Sequence, residues 1–357
     1  MAMEVLIMSL FIILKWLAFL LVSAIGLFLL IRLIGQRINR RTPVGGINES
    51  RYVDINGTKQ WISIYGKNRD NPVLLYLHGG PGASTSSYDH AFTRQWSDVY
   101  TVVTWDQRNC GKSYCKSQNN TELVLDLLIS DGLALTKYLL NYLQRDNITV
   151  LGHSWGAYLG SRLVYSYPEF FACYIGAGLP VDSYQNEVAF KAEAAKWAKD
   201  DDDGKKLVEQ LTAGVFSEEH LAARNALMKR YGYDLFAAGT DYSIAAAQVF
   251  NPYYSLMDYC RCIKADFSVY KRFIRSDEFS KLSLLGHVDY QVPFYLVNGD
   301  KDYQTNYLIA QDYFDAVKAP RKKLYVMKGT THGLLESKSK EFSEIVHKIE
   351  REEHAAR

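Results

Sequence analysis

A serine lies between two glycines in the motif G-H-S-W-G, residues 152–156. The motif follows residues 148–152, which have the composition of a strand, and it precedes a segment at 155–167 with helical spacing of apolar residues. A sharp strand-to-helix turn strains its central residue and brings the chain so close that residues two positions before and after it must be small. The pattern therefore predicts that the Ser154 hydroxyl is exposed beside unpaired helix N–H groups, as a nucleophile requires.

A serine hydroxyl attacks only when a base takes its proton, and a third group must orient that base. Of the eight histidines, His332 follows the last predicted strand, at the sheet edge where open α/β sheets build their sites. The preceding strand ends at Gly299 and offers Asp300 and Asp302. We favour Asp302, three residues past the glycine, and expect Asp300 to form a turn. The predicted triad is Ser154, Asp302 and His332.

A second glycine-rich loop, H-G-G-P-G at residues 78–82, directly follows a predicted strand at 73–77. The tetrahedral intermediate of acyl transfer needs two N–H donors aimed at its oxyanion. The backbone of Trp155, just after the nucleophile, supplies one. Pro81 has no N–H, whereas Gly80 can present its amide without a side chain in the way, so Gly80 is predicted as the second donor.

Strand-like and helical segments alternate through most of the chain, which predicts a mostly parallel sheet with helices on both faces. The alternation fails at residues 181–288, where helical, charged and aromatic sequence replaces the strands. We therefore predict a transmembrane anchor at residues 1–34, a linker at 35–47, an α/β core at 48–180 and 289–357, and a helical lid at 181–288.

The N-terminal run Val5–Ile31 contains one charged residue, Lys15, and a helix of this length exceeds the roughly 30 Å hydrocarbon thickness of a bilayer. A membrane anchor and a signal sequence both have this character. Glu4 precedes the run and no small-residue cleavage pattern follows it, so we expect an uncleaved single-pass anchor. Four arginines follow the run and place the remaining chain on the cytoplasmic side: Arg32, Arg37, Arg40 and Arg41.

The composition narrows the range of partners. With 41 Lys and Arg against 39 Asp and Glu, the net charge of +2 gives no indication of the basic surface that a nucleic-acid-binding protein needs, so we expect no nucleic-acid partner. The five cysteines form no C-x-x-C pair, so neither a disulfide framework nor a metal site is expected. We expect no cofactor, a small-molecule or short-peptide substrate, and a lipid bilayer contacted through the N-terminal helix. The sequence leaves the oligomeric state open.

Three motifs, H-G-G-P-G, W-D-Q-R-N-C-G-K-S and G-H-S-W-G, resemble in order and spacing the proline iminopeptidase branch of the α/β-hydrolase superfamily. The resemblance covers about residues 50–180 and 290–340 and departs from the family pattern at Asn109, where glycine is usual. It implies an α/β-hydrolase fold and a serine peptidase that removes N-terminal residues, especially proline, from short peptides. The roles implied are nucleophile, base, acid and two oxyanion donors for Ser154, His332, Asp302, Gly80 and Trp155.

Aminopeptidases of this branch hold the free amine of the substrate with lid carboxylates. Glu187 and Glu193 are candidates in this lid, although neither matches a family motif. The leading expectation is a membrane-anchored aminopeptidase acting on small peptides or amides. A carboxylesterase acting on small acyl esters and a non-catalytic membrane-tethered binding module are the alternatives. Dehalogenase and epoxide-hydrolase chemistry is disfavoured because it requires a carboxylate at position 154.

Overall fold

The computed structural model describes residues 2–356. Met1 and Arg357, the outermost residues of the predicted anchor and core, lie outside the described residues. Eight strands form one sheet: β1 (Ile47–Ile55), β2 (Thr58–Gly66), β3 (Val73–Leu77), β4 (Thr101–Trp105), β5 (Ile148–His153), β6 (Phe171–Ala177), β7 (Phe294–Gly299) and β8 (Lys322–Met327).

The sheet is mostly parallel, as predicted, with the order β1-β2-β4-β3-β5-β6-β7-β8. The first two pairings, β1 with β2 and β2 with β4, are antiparallel, and all the others are parallel. Asn56 and Gly57 join β1 to β2 with positive φ at both positions, the hairpin that the Asn-Gly pair predicts. Every residue of β3, β4, β5 and β7 is buried, because helices cover both faces of the sheet.

The helices begin and end as follows: α1 (Ala2–Asn39), α2 (His90–Thr93), α3 (Leu125–Leu143), α4 (Trp155–Ser166), α5 (Ser183–Trp197), α6 (Asp202–Glu209), α7 (Glu218–Arg230), α8 (Ile244–Val249), α9 (Leu256–Ile263), α10 (Ser268–Ile274), α11 (Asp277–Ser280), α12 (Tyr307–Ala316), α13 (Leu334–Ser337) and α14 (Ser339–Ala355). Short 3-10 helices lie at Arg94–Trp96, Gly111–Ser113, Lys116–Gln118 and Pro168–Phe170.

Each face of the sheet has its own hydrophobic core, because successive side chains of a strand point to opposite faces. Leu75 and Leu77 of β3 pack into a core shared with α3, α4 and α12. Leu74 and Tyr76 of the same strand pack into a second core with α2 and α14. β5 and β8, whose carboxyl ends lead into α4 and α13, both contribute buried side chains to these cores.

Seven helices, α5 to α11, lie between β6 and β7, and the described residues in this stretch form no strand element. They contribute a small core of their own: Phe190, Ala194, Leu211, Ala223, Leu227 and Met228. We refer to residues 181–288 as the cap. The helical content agrees with the proposed lid, and treating the cap as a separate unit remains a proposal.

The helical spacing of residues 121–143 predicts a helix that begins at a Thr121 cap, but this start is wrong: α3 begins at Leu125, with Val124 in an extended conformation before it. The later start depends on a residue that is distant in the sequence. The Leu125 N–H donates to the Glu278 carboxylate of α11, 2.8 Å away, so the cap supplies the acceptor that a local capping residue would otherwise provide.

α1 extends through residues 35–39 of the predicted linker, so that the connection to β1 is shorter than expected. Among the described residues, α1 is the one helix long and apolar enough to cross a membrane, a property that signal sequences share. Its side chains at positions 6–31 are all exposed. An exposed apolar surface of this size needs an apolar environment around it.

We expect Gly156→Ala to destabilise the fold severely. An added Cβ at position 156 would lie 2.1 Å from the Leu77 carbonyl oxygen, in backbone that cannot move without distorting β3. The free energy of unfolding, measured by urea titration in detergent, should fall by about 3 kcal/mol or more. The control is Gly286→Ala, where an added Cβ meets no atom within 4 Å. Equal midpoints for the two variants would contradict the predicted close approach.

Candidate active site

Ser154 occupies a strained turn between β5 and α4. Its backbone has φ 55° and ψ −123°, a conformation that is rare for a residue with a side chain. A Cβ at Gly79 would lie 3.1 Å from the Ser154 Cβ, so a side chain there would crowd the serine. The strained serine predicted from the motif is therefore present, at the carboxyl end of a central parallel strand.

His332 lies in the loop after β8, and its Nδ1 is 2.7 Å from Oδ2 of Asp302. Both side chains are buried. The Asp302 carboxylate also accepts hydrogen bonds from the amides of Gln304 and Thr305, at 2.9 and 3.0 Å, and from the Thr305 hydroxyl at 3.1 Å. These donors fix the carboxylate, so that the carboxylate can in turn fix the orientation of the imidazole.

Asp300, the other aspartate considered from the sequence, has a different environment. Its Oδ1 accepts a hydrogen bond from the Gly329 amide at 2.6 Å, and Lys328 lies 3.7 Å from its other oxygen. Asp300 thus connects the loop after β7 to the turn after β8. Asp302, and not Asp300, contacts His332.

Ser154 and His332 line a common cavity of about 250 Å³, which we call the histidine cavity. Its lining includes Gly79, Gly80, His153, Met228, Gln304 and Glu336. Within residues 2–356, no hydrogen bond joins Ser154 to His332. Hydrogen bonds between catalytic groups are often long before substrate binds, so the shared cavity is the relevant observation.

Two other buried histidines hydrogen-bond the backbone of the loops that form the site. His153 Nε2 is 2.9 Å from the His332 carbonyl oxygen, and burial lowers the pKa of His153 to about 3. His78 bonds the Gly79 carbonyl through Nδ1 at 2.8 Å, and burial lowers the pKa of His78 to about 4. Both rings are therefore neutral near pH 7 and hold the backbone of the loops.

The two predicted oxyanion donors lie beside Ser154. Trp155 is the first residue of α4, so its N–H has no partner within the helix. Gly80 has φ +119°, and an added Cβ would lie 2.5 Å from the Ala83 amide, so only glycine fits there. Gly80, Ser154 and Trp155 all line a second cavity of about 180 Å³, which we call the cap cavity.

Much of the lining of the cap cavity is apolar. The apolar residues that α7, α10, α11 and the segments beside these helices contribute are Phe216, Leu221, Ile274, Phe279 and Leu282. Three charged residues also line it: Asp182, Glu187 and Arg224. The cavity therefore combines an apolar wall with a small number of charges, as is typical of a site for a small organic ligand.

Of the two predicted amine-binding residues, the structure brings Glu187 to the cap cavity. Its carboxylate lies 2.8 Å from His220 Nε2 and 3.1 Å from Arg224 Nε. Burial raises the pKa of Glu187, but the Arg224 charge and the His220 hydrogen bond outweigh burial and hold that pKa below its usual value. Glu187 is therefore ionised, and Arg224 already balances its charge.

Glu193 does not line either cavity, and it pairs with Lys196 at 2.6 Å on the same helix. Positions 187 and 193 are six residues apart, so their side chains point about 120° apart around an α-helix and lie on different faces. They therefore cannot both point to one cavity from α5. We do not include Glu193 in the site.

Sequence reasoning missed Asp182, which lines the cap cavity at the start of α5. Its Oδ1 accepts a hydrogen bond from the Gln185 amide at 2.8 Å, so Asp182 caps the helix. Among the described residues it forms no ion pair, in contrast to Glu187. An aspartate ahead of a helical segment is a recognisable capping signal, but that signal does not show which side chain faces a cavity.

Glu336 was also missed, four residues after His332. It is buried and lines the histidine cavity, where its Oε1 lies 3.4 Å from the Tyr88 hydroxyl. Its Oε2 is buried without a hydrogen-bond partner among the described residues. Burial raises the pKa of Glu336 to about 7. In the same range, 2–356, no three His, Cys, Asp or Glu side chains are grouped as metal ligands.

A protein-family model described as the alpha/beta hydrolase family matches residues 74–345. The probable aminopeptidase YbaC of Bacillus subtilis (strain 168) is 33% identical over 135 residues, 38% of this chain and 42% of that protein. The proline iminopeptidase of Neisseria gonorrhoeae is 35% identical over 107 residues, 29% of this chain and 31% of that protein. The chain thus matches less than half the length of these curated relatives.

The crystal structure of proline iminopeptidase from Mycobacterium smegmatis matches 86% of this chain and 99% of its own, with a TM-score of 0.58. At 18% sequence identity this likeness shows the fold alone. The sequence relatives confirm the resemblance to the proline iminopeptidase branch that the three motifs indicated, and the structural likeness confirms the α/β-hydrolase fold.

The raised pKa of Glu336 predicts a pH-dependent stability. Between its usual pKa of 4.5 and about 7, the folded protein keeps a proton that the unfolded chain releases. The free energy of unfolding therefore falls as the pH rises through this window. Gln cannot ionise, so the free energy of unfolding of Glu336→Gln does not fall for this reason. Relative to the wild type, the variant should therefore be more stable at pH 8 than at pH 5 by about 2–3 kcal/mol.

Urea unfolding of both proteins at the two pH values tests this expectation. Asp89 and Asp106, whose pKa values burial also raises, titrate in both proteins and cancel in the comparison. A difference between variant and wild type that stays constant with pH would contradict the assignment.

Proposed function

Because the chain belongs to the alpha/beta hydrolase family, we propose that it is a serine hydrolase with Ser154 as nucleophile. His332 is the base, Asp302 orients it, and the amides of Gly80 and Trp155 stabilise the oxyanion. One observation carries the proposal: the strained Ser154 shares a cavity with His332, whose Nδ1 is 2.7 Å from Asp302.

The proposed reaction passes through an acyl-enzyme. Asp302 accepts the Nδ1–H of His332, which leaves Nε2 free to take the Ser154 proton as Oγ attacks the substrate carbonyl carbon. The imidazolium then protonates the leaving amine or alcohol, and the acyl group stays on Ser154. Water, deprotonated by the same imidazole, releases the acid and restores the serine. Because residue 154 is a serine, this route is favoured over the reactions of relatives that need a carboxylate nucleophile at that position.

We expect a fluorophosphonate probe to label the wild-type protein on Ser154. Ser154→Ala should abolish labelling and lower kcat/KM by about 10⁴-fold or more, because the remaining groups lack a nucleophile. Ser166→Ala, which changes an exposed serine on the same helix, is the matched control and should be labelled like the wild type. Undiminished labelling of the Ser154→Ala protein would refute the proposed nucleophile.

The substrate class that we propose is a small peptide or amide with a free N-terminal amine. An ammonium group binds best to a carboxylate that has no other positive partner. In the cap cavity Asp182 forms no ion pair among the described residues, whereas Glu187 is paired with Arg224. The apolar wall at Phe216 and Leu221 suits the side chain of the first residue, such as a proline ring. The curated relatives, an aminopeptidase and a proline iminopeptidase by name, support the same class.

A carboxylesterase acting on small acyl esters is the second candidate. The observation that favours it is the pairing of Glu187 with Arg224 and His220, which leaves little net negative charge in the cap cavity. An uncharged acyl chain would fit against the apolar wall without needing a carboxylate. Catalysis would use the same serine, histidine and aspartate.

The N-terminal helix is proposed to anchor the enzyme in a bilayer as a single span. The exposed apolar length of α1 supports this, and so does the cluster of arginines at its end, which favours the cytoplasmic side for the catalytic part. The substrate would then reach the site from the cytoplasm.

Asp182→Asn separates the two substrate classes. Asparagine still caps α5 but carries no charge, so the fold should be retained. For a prolyl arylamide, KM should rise about tenfold or more while kcat changes little, since about 1.4 kcal/mol of binding is lost. For an acetyl ester, which has no amine, both constants should stay the same.

Asp203→Asn is the matched control, because it removes the same charge from an exposed cap position that lines neither cavity. Hydrolysis of the ester without any hydrolysis of the arylamide by the wild type would decide for the esterase.

A further inference from the structure

The polar end of α1 is bound to the cap. Arg32 is 6% exposed and donates hydrogen bonds to the carbonyl oxygens of Val249, at 3.0 Å, and Tyr254, at 2.7 Å. Gln36 donates to the carbonyl oxygens of Asn251 and Tyr254, both at 2.8 Å. A charged side chain at the end of an apolar helix is thereby buried against the loop between α8 and α9.

The same loop follows α1 towards its C-terminus. Asn39 donates to the Phe250 carbonyl oxygen at 2.8 Å, and Arg40 donates to the carbonyl oxygen of Pro252. An added Cβ at Gly35 would lie 2.2 Å from the Phe250 ring, so the ring packs directly on the helix backbone. The C-terminal part of α1 is therefore packed directly against the loop between α8 and α9.

These contacts place α9 beside the apolar part of α1. The guanidinium of Arg32 lies 5.5 Å from the ring of Tyr259, which is on α9. Arg32 directly follows Ile31, the last residue of the apolar run. α9 therefore lies at the level where α1 passes from hydrocarbon to the polar region of a membrane, if α1 spans one.

The outer face of α9 is apolar. Leu256, Met257 and Ile263 are 49%, 62% and 83% exposed, and Phe267 just beyond the helix is also exposed. Leu256 and Ile263 are seven residues apart within α9 and therefore lie on one side of the helix, with Met257 next to Leu256. The opposite side faces the protein, where Asp258 lies 3.4 Å from Lys112. The exposed side chains would gain about 1.5–3 kcal/mol each from full burial in an apolar environment.

Exposed basic residues flank this face. Arg261 and Lys264 lie on and just after α9, and Arg37, Arg40 and Arg41 lie at the end of α1. Apolar residues next to Lys and Arg are the pattern of a helix that lies in the membrane interface, with the positive charges at anionic headgroups.

We propose that α9 lies in the surface of an anionic bilayer, with Leu256, Met257 and Ile263 in the region between headgroups and acyl chains. The inference rests on the proposed membrane anchor. The cap then contacts the membrane in two ways, through α1, which crosses the bilayer, and through α9, which lies in its surface. Two such contacts fix the orientation of the cap relative to the bilayer.

A depth measurement on the full chain tests the proposal. The solvent-accessible cysteines Cys115, Cys260 and Cys262 are first replaced by serine, and an NBD fluorophore is then attached to cysteine introduced by Ile263→Cys or Met257→Cys. The protein is reconstituted in 3:1 phosphatidylcholine:phosphatidylglycerol liposomes containing lipids with a doxyl quencher near the headgroup. We expect at least twofold quenching at both positions.

Two further labelled variants serve as references. Val326→Cys places the label on β8, at the opposite edge of the sheet from β1, at an exposed apolar position, and it should not be quenched. Leu20→Cys places it in the middle of α1, where a quencher deep in the acyl chains should quench it if the anchor is correct.

The outcomes are distinct. Quenching at position 20 without quenching at 257 and 263 overturns the α9 proposal and leaves the anchor standing. Absence of quenching at position 20 overturns the anchor and, with it, the inference. A label at 263 that is shielded from water, unquenched by lipid, and sensitive to the protein-to-lipid ratio would show that a second copy covers α9, which also overturns the proposal.

Discussion

The close approach of the backbones of β3, β5 and α4 is the constraint on which the site depends. Gly156 lies against the Leu77 carbonyl, and Gly152 lies against the carbonyl of Gly156, with no room for a side chain at either position. This contact allows α4 to begin immediately after β5 and gives Ser154 its unusual backbone angles. It also sets the start of the loop at 78–82 that carries Gly80. A small local requirement for glycine thus determines where the hydroxyl and the amides can meet a substrate.

Motifs that depend on backbone geometry could be read from the sequence. The turn at Ser154, the hairpin at Asn56, the parallel sheet and the contact of His332 with Asp302 all follow from residues that are close along the chain or at the ends of neighbouring strands. Such features need little knowledge of side-chain packing. They account for most of the fold and for the candidate catalytic groups.

Features that depend on how the cap is placed on the core could not be read in the same way. The start of α3 depends on Glu278, 153 residues later in the chain. Which acidic side chain reaches the cap cavity depends on the rotation of α5, which brings in Glu187 and, at the start of the helix, Asp182 but not Glu193. The pairing of Glu187 with Arg224 and His220 needs α5 and α7 side by side. Composition and periodicity specify neither rotation nor pairing.

The bonds of Arg32 to Val249 and Tyr254 link residues that are 217 and 222 positions apart. A ribosome adds about 5–20 residues per second, so the guanidinium emerges roughly 10–40 seconds before its carbonyl partners are synthesised. During this interval, in the proposed membrane-anchored protein, Arg32 is a free positive charge that helps to retain the end of α1 in the cytoplasm while the span is inserted. Once the cap has folded, the same side chain is buried and hydrogen-bonds α1 to the cap. If the proposed anchor and orientation hold, one arginine would thus act first in setting the topology of the chain and then in holding α1 against the cap.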